Sequence, residues 1–261
     1  NKLEIDRTSF NPITRQPVLF GSSLKGAIRT ALLDEMNEGK QAPERKGLHE
    51  FQSRLFNYLN QNGKPVLELD PLRLVQLADA AWNGEAGLPA TQVYLAVNRK
   101  KAPVVDAQGK LRKSRAEAGD LYQILECVPG LHYRAFRGQL NVQSVAGVPE
   151  RDRQDKRRLP AADLRFDVAQ LAQACNDFYE PIFEAECRLL AQRGYLDATW
   201  HRTAQQLLAA SAAKVQRGEA FLLRVGRHSG AESVTLNGAP SPRAPRTNTA
   251  SGPRAARKCA P

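Results

Sequence analysis

The sequence predicts an α+β fold. Helix-like and strand-like periodicities come in separate runs with no regular βαβ alternation. No internal repeat recurs at a fixed period, yet one device occurs twice, a strand-like run feeding a glycine-rich loop, once near each end. The chain has 261 residues, 42% of them hydrophobic, which suits one large domain or two small ones and excludes wholesale disorder.

The opening alternates polar Lys2, Glu4 and Asp6 with apolar Leu3 and Ile5, as a strand does. A second extended run, Ile13 to Phe20, carries Pro17 and fits an edge. After Gly21, the residues Leu24, Ala27, Ile28, Ala31 and Leu32 recur at helical spacing. Ser22 or Ser23 is expected to cap this helix and Gly39 to end it. A shorter helix is expected from His49 to Tyr58. Strands are expected over Val66 to Leu69, Leu72 to Leu77, Thr91 to Val97, Leu121 to Val128 and Tyr133 to Val142. Between two of them lie the basic loop Arg99-Lys100-Lys101 and the run Lys110 to Arg115. The charged segment 148–160 reads as a loop.

Two helices follow, one from about Asp163 to Arg193 with a bend expected at Pro181, the other from Ala198 to Arg217, capped by Asp197. Gly194 and Gly218 are their stops. Ala220 to Val225 reads as a short apolar strand running into Gly226-Arg227-His228-Ser229-Gly230, and Ser233 to Leu236 as a last one. From Ser241 the composition turns to Pro, Arg, Ala and Ser without periodicity, which predicts a disordered basic tail over 241–261.

The formal net charge of +11 favours a polyanionic partner, nucleic acid or an anionic surface. No apolar run is long enough to span a bilayer and no secretory signal is visible. Cys127, Cys175, Cys187 and Cys259 form no CxxC pair and match neither a zinc ribbon nor a disulfide framework. Cys175 and Cys187 are expected in the core, in a reducing, cytoplasmic setting, with no metal and no cofactor. The first residue is Asn1 and the sole methionine Met36, so the chain reads as a piece of a longer product or one whose start was trimmed.

The first device is Phe20-Gly21-Ser22-Ser23-Leu24-Lys25-Gly26-Ala27-Ile28-Arg29-Thr30. A glycine-serine turn at a helix N-terminus leaves N–H groups free for an anion. Gly21 lets a ligand backbone approach and Gly26 lets another backbone pack. Lys25 and Arg29, four apart, share a face and can take phosphates. Taken alone, the same residues equally describe a capped surface helix with two solvated cations. A P-loop is excluded because Lys25 precedes Gly26 instead of following it, and no G-x-S-x-G elbow is present.

The second device, Phe221 to Gly230, brackets Arg227, His228 and Ser229 between two glycines. Such a loop can present backbone donors and a guanidinium to a phosphodiester. His228 can instead act as a general acid or base. Tyr94, Tyr122, Tyr133 and Phe136 fall in strand-like runs, where they can stack on bases or serve the core.

Together, "FGSSLKGAIRTAL" and "FLLRVGRHSG", with "LELDPLRLVQLADA" between them, resemble the RAMP superfamily of CRISPR proteins over roughly Ile13 to Leu236. Within it they are most similar to the Csm-type branch that supplies the fifth Csm subunit, which caps the guide-RNA 3′ end. The resemblance implies two ferredoxin-like (RRM-like) domains with antiparallel sheets and a helical insertion, at 1–147 and 148–240, and a glycine-rich loop near the C-terminus. It implies a non-catalytic subunit binding CRISPR RNA and sister subunits of a type III effector complex in antiviral defence. The RNA contacts carried over are Gly21, Ser22, Ser23, Lys25 and Arg29, and Gly226, Arg227, His228, Ser229 and Gly230. Two departures stand out: the strand expected before the first motif is largely missing, and the chain beyond Asn237 does not match. The competing functions are a RAMP endoribonuclease using His228 or His132, and a truncated structural remnant.

Overall fold

The computed structural model describes residues 4–41, 47–84, 89–98, 105–114, 117, 119, 122–145 and 159–237. The expectations for Arg99-Lys100-Lys101, Arg115, the segment 148–158 and the tail 241–261 lie outside them. The described chain is a mixed α+β structure of four helices longer than one turn and three small sheets.

Helix α1 (Gly21–Asn37) turns Ala27, Ile28, Ala31 and Leu32 inward, the spacing read from sequence. Glu38 then takes a left-handed conformation and Gly39 follows with φ +68°. Helix α2 is Leu48–Leu55. Helix α3 (Val168–Gln192) begins at a capping box: the Gln170 N–H donates to the Asp167 carboxylate and the Asp167 N–H to the Gln170 side-chain oxygen, both at 2.8 Å. It starts later than expected because 162–164 form a separate 3-10 turn, and it continues through Pro181. Helix α4 (Ala198–Gln216) is capped by Asp197, which accepts from the Trp200 N–H.

Strands β1 (Ile5–Asp6), β6 (Gln123–Cys127) and β5 (Gln92–Ala96) form one sheet in that order, β1 parallel to β6 and β5 antiparallel to it. Strands β2 (Val18–Leu19), β4 (Ala80–Trp82) and β7 (Phe136–Arg137) form a second, and β3 (Val75–Leu77) pairs with β8 (Leu140–Val142) in a third. Among the described residues no sheet reaches the four strands of a ferredoxin-like domain.

Several expected strands take other forms. Leu67–Leu69 and Pro71–Leu74 are 3-10 turns, because Pro71 begins a turn and the Asp70 carboxylate accepts from the Leu72 N–H at 3.0 Å. Ala231–Val234 is a 3-10 turn where a last strand was expected. Among the described residues, the segment 220–225 joins no sheet.

One core cluster holds Ile28 and Leu32 of α1, Phe56, Leu171, Cys175 and Phe178 of α3, and Leu236, so residues from both expected domains share it. Phe221, Leu222, Leu223 and Val225 pack against its edge. Cys175 and Cys187 are buried free thiols, and burial pushes the Cys175 thiol up to about 12. Among the described residues, no helix is long and apolar enough to cross a membrane.

Candidate nucleic-acid interface

The first device folds as a strand-to-helix junction, with Phe20 as the N-cap position and no side-chain cap from Ser22 or Ser23. The cap comes from elsewhere in the chain: the Gly21 N–H donates to the Asp79 carboxylate at 2.7 Å. The N–H groups of Ser23 and Leu24 both bond the Phe20 carbonyl, at 3.0 and 3.2 Å. The positive end of α1 thus already holds a carboxylate, beside the exposed side chains of Ser22 and Ser23. Gly21 is glycine because a Cβ there would stand 2.3 Å from the Leu77 carbonyl oxygen, a contact within the chain. Gly26 is exposed, and among the described residues nothing packs where its missing side chain leaves room.

Lys25 and Arg29, expected to reach phosphates, hold the 70–75 segment to α1. The Lys25 ammonium donates to the Val75 carbonyl at 2.8 Å, and burial pulls its pKa below the ordinary value, opposed by nearby Asp70. The Arg29 guanidinium pairs with Asp70 at 2.7 Å, donates to the Tyr58 hydroxyl at 3.1 Å and lies over the Phe56 ring at 5.0 Å. Lys25→Ala with Arg29→Ala is therefore expected to lower stability by about 2 kcal/mol, as a half-buried carboxylate loses its partner. The salt slope of RNA binding, read from affinities at several ionic strengths, should stay the same. A fall of roughly 0.7 per cation would show that they reach phosphates.

The second device is an extended segment followed by a tight turn. Asn176 of α3 brackets the segment, its amide donating to the Ala220 carbonyl at 3.2 Å and its oxygen accepting from the Leu222 N–H at 2.9 Å. Arg224 forms a two-pronged ion pair with Glu186. The chain then reverses at Gly226 (φ +109°) and Gly230 (φ +86°), conformations that favour glycine. The Ser229 N–H donates to the Gly226 carbonyl at 3.3 Å, and the Ser233 hydroxyl to the Ser229 carbonyl at 2.9 Å. Arg227 and His228 are exposed, and Arg227 pairs with Asp6 of β1 at 2.6 Å.

A residue that sequence reading missed joins the two devices. The buried Tyr179 hydroxyl lies 3.1 Å from the Ala27 carbonyl of α1 and 3.4 Å from the Ser233 carbonyl just after the glycine loop. Burial, with Cys175 adding to it, pushes its pKa to about 12. Asp34 of α1 accepts from both the backbone and side-chain N–H groups of Asn237, at 2.6 and 2.7 Å. His132, the other candidate acid or base, lies against Trp82 with ring centroids 5.6 Å apart, its Nδ1 buried and, among the described residues, without a hydrogen-bond partner.

No family model matches the chain, and no curated protein matches its sequence. Among solved structures, the chain is similar to Csm5 in the crystal structure of T. onnurineus Csm5, with a TM-score of 0.47 and 15% identity over 90% of this chain and 72% of that one. It is also similar to a chain of the cryo-EM structure of a Csm-crRNA-target RNA ternary complex of a type III-A CRISPR-Cas system, with a TM-score of 0.48 and 16% identity over 87% of this chain. It spans 62% of that second chain, under two thirds of its length.

Proposed function

We propose that this chain is a non-catalytic RNA-binding subunit of a type III CRISPR effector complex, acting in the cytoplasm on the 3′ end of the guide RNA. The observation that carries this reading is Tyr179, whose hydroxyl fixes the helix of the first RAMP-like motif and the turn after the second on one core. The turn Gly226 to Gly230, exposed at Gly226, Arg227 and His228, then offers backbone to a phosphodiester, and the exposed Arg227 can exchange Asp6 for a phosphate, while Ser22 and Ser23 offer hydroxyls from α1. Contacts of this kind read no bases, which suits guides of any spacer. Gly21, Lys25 and Arg29 serve the same interface by positioning α1. The reading takes 1–147 and 148–240 as reduced ferredoxin-like domains sharing a core, with 241–261 as a basic tail.

The test compares Gly226→Val with His228→Ala in complexes purified with their guide RNA. A Cβ at Gly226 meets no atom of the described residues within 4 Å, so valine acts through the +109° φ and through bulk at the partner's side. Gly226→Val should cost about 1–3 kcal/mol in the turn and reduce co-purifying RNA and sister subunits. His228→Ala should leave both, and guide length, unchanged. A His228→Ala complex of normal composition carrying only unprocessed RNA would overturn this reading in favour of the endoribonuclease.

A further inference from the structure

The turn that joins β6 to β7 holds two strained residues. Leu131 and Arg134 both hold left-handed backbone, with φ +65° and +53°, within four residues. Non-glycine residues adopt this only at a cost, which surrounding structure must offset. Here the base of the turn is fixed on both sides. His132 and Phe136 pack on Trp82, at centroid distances of 5.6 and 5.5 Å. Asn83 binds the turn twice, its N–H donating to the Ala135 carbonyl at 2.8 Å and its side-chain amide to the Arg134 carbonyl at 3.1 Å. A side chain at Gly130 would meet the Trp200 indole at 3.3 Å.

This rigid base presents Tyr133 outward, 65% exposed, with the Arg134 guanidinium 5.2 Å from its ring centroid. Three residues on, Arg137 is exposed on β7. Among the described residues no carboxylate pairs with Arg134 or Arg137, in contrast to Arg29, Arg224 and Arg227, each of which has an acidic partner. An exposed aromatic ring beside unneutralised guanidinium groups is the arrangement on which unpaired bases stack while their phosphates are held. The glycine loop reaches the same sheet: Arg227 bonds Asp6 of β1, which pairs with Leu125 of β6, the strand that leads into this turn.

We infer that Tyr133, Arg134 and Arg137 form a stacking platform for an unpaired nucleotide of single-stranded RNA. Its base lies on the Tyr133 ring and its phosphates meet the two arginines. This rests on the RNA-binding reading above and adds a contact that reading does not contain. The platform is set before the ligand arrives, because the strained turn is already held by Trp82 and Asn83, and pre-set geometry lowers the ordering cost of binding.

The experiment measures the affinity of the purified chain for unstructured single-stranded RNA and for an RNA duplex at several salt concentrations. Tyr133→Ala, at an exposed position, should weaken single-strand binding by roughly tenfold with an unchanged salt slope and leave duplex binding unaltered. Tyr133→Phe should restore single-strand affinity, since stacking needs the ring and not the hydroxyl. Arg134→Gln with Arg137→Gln should lower the salt slope by roughly 0.7 for each lost phosphate contact. Unchanged affinity in Tyr133→Ala, or Tyr133→Phe as weak as Tyr133→Ala, overturns the platform. If Gly226→Val still weakens RNA binding in the same assay, the subunit reading stands without it. A wild-type chain that binds no single-stranded RNA overturns both.

Discussion

Gly21→Ala is expected to destabilise the fold by about 3 kcal/mol, an unusually large effect for one methyl group on a helix. The added Cβ would stand 2.3 Å from the Leu77 carbonyl oxygen, 2.9 Å from its carbon and 3.0 Å from the Ala78 carbonyl carbon. All three are backbone atoms, so no side chain can swing aside. Nor can the backbone withdraw. Leu77 is paired with Leu140 in β3–β8, and the Ala78 N–H donates to the Gln139 carbonyl at 3.0 Å. Just beyond, Ala80 and Ala81 pair with Leu19 and Val18, immediately before α1. The Gly21 N–H is itself bound to Asp79 in the same turn, so relieving the clash by moving α1 would break its cap. Gly26→Ala is the matched control. It lies on the same helix, meets nothing within 4 Å, and should gain roughly 0.5–1 kcal/mol from helix propensity. Urea unfolding of the two variants, with equal m-values, checks both signs. A Gly21→Ala midpoint within error of wild type would mean that the 77–79 turn is not fixed against α1.

The helices were legible in the sequence because their signals are local. Asp197, Gly194 and Gly218 all lie within a turn of the boundaries they set, whereas the Asp167–Gln170 box that starts α3 went unread and its start was expected at about Asp163. The sheets were less so. Leu67 to Leu74 carries a strand-like apolar run, yet Asp70 and Pro71 impose turns that outweigh it. Residues 220–225 are apolar and extended, but the partner that completes their backbone is a side-chain amide and not a neighbouring strand. The glycines of both devices were visible, and φ +109° and +86° at Gly226 and Gly230 match the conformational freedom expected of them. The roles of Lys25 and Arg29 were not visible, because Asp70 and the Val75 carbonyl lie 41 and 50 residues away and nothing near the motif announces them. The same holds for Asp79, 58 residues from Gly21, and for Tyr179, 152 residues from Ala27. Amphipathic spacing marks a residue as buried but not the carbonyl that its hydroxyl will find.

Asn176→Ala is expected to cost about 2–4 kcal/mol, because it strands two backbone groups at once. Asn176 is 6% exposed, and its amide completes both the Ala220 carbonyl and the Leu222 N–H, at 3.2 and 2.9 Å. Among the described residues no strand pairs with 220–225 to take over either bond. Two anchors would remain: the Arg224–Glu186 ion pair, and the packing of Phe221, Leu222, Leu223 and Val225 on the core. The segment should therefore stay docked on average but open more often, and the turn at Gly226 should lose the fixed lead that aims it. Hydrogen exchange separates this from global destabilisation. Amides in 220–230 should exchange faster than in wild type by a larger factor than amides in the middle of α1. RNA affinity should fall with them, although no residue of the Gly226 to Gly230 turn has been altered. Asn176→Asp should fall between the two, since a carboxylate can still accept from the Leu222 N–H but repels the Ala220 carbonyl. Equal acceleration in both regions would mean that Asn176 supports the core as a whole and not the aim of the glycine loop.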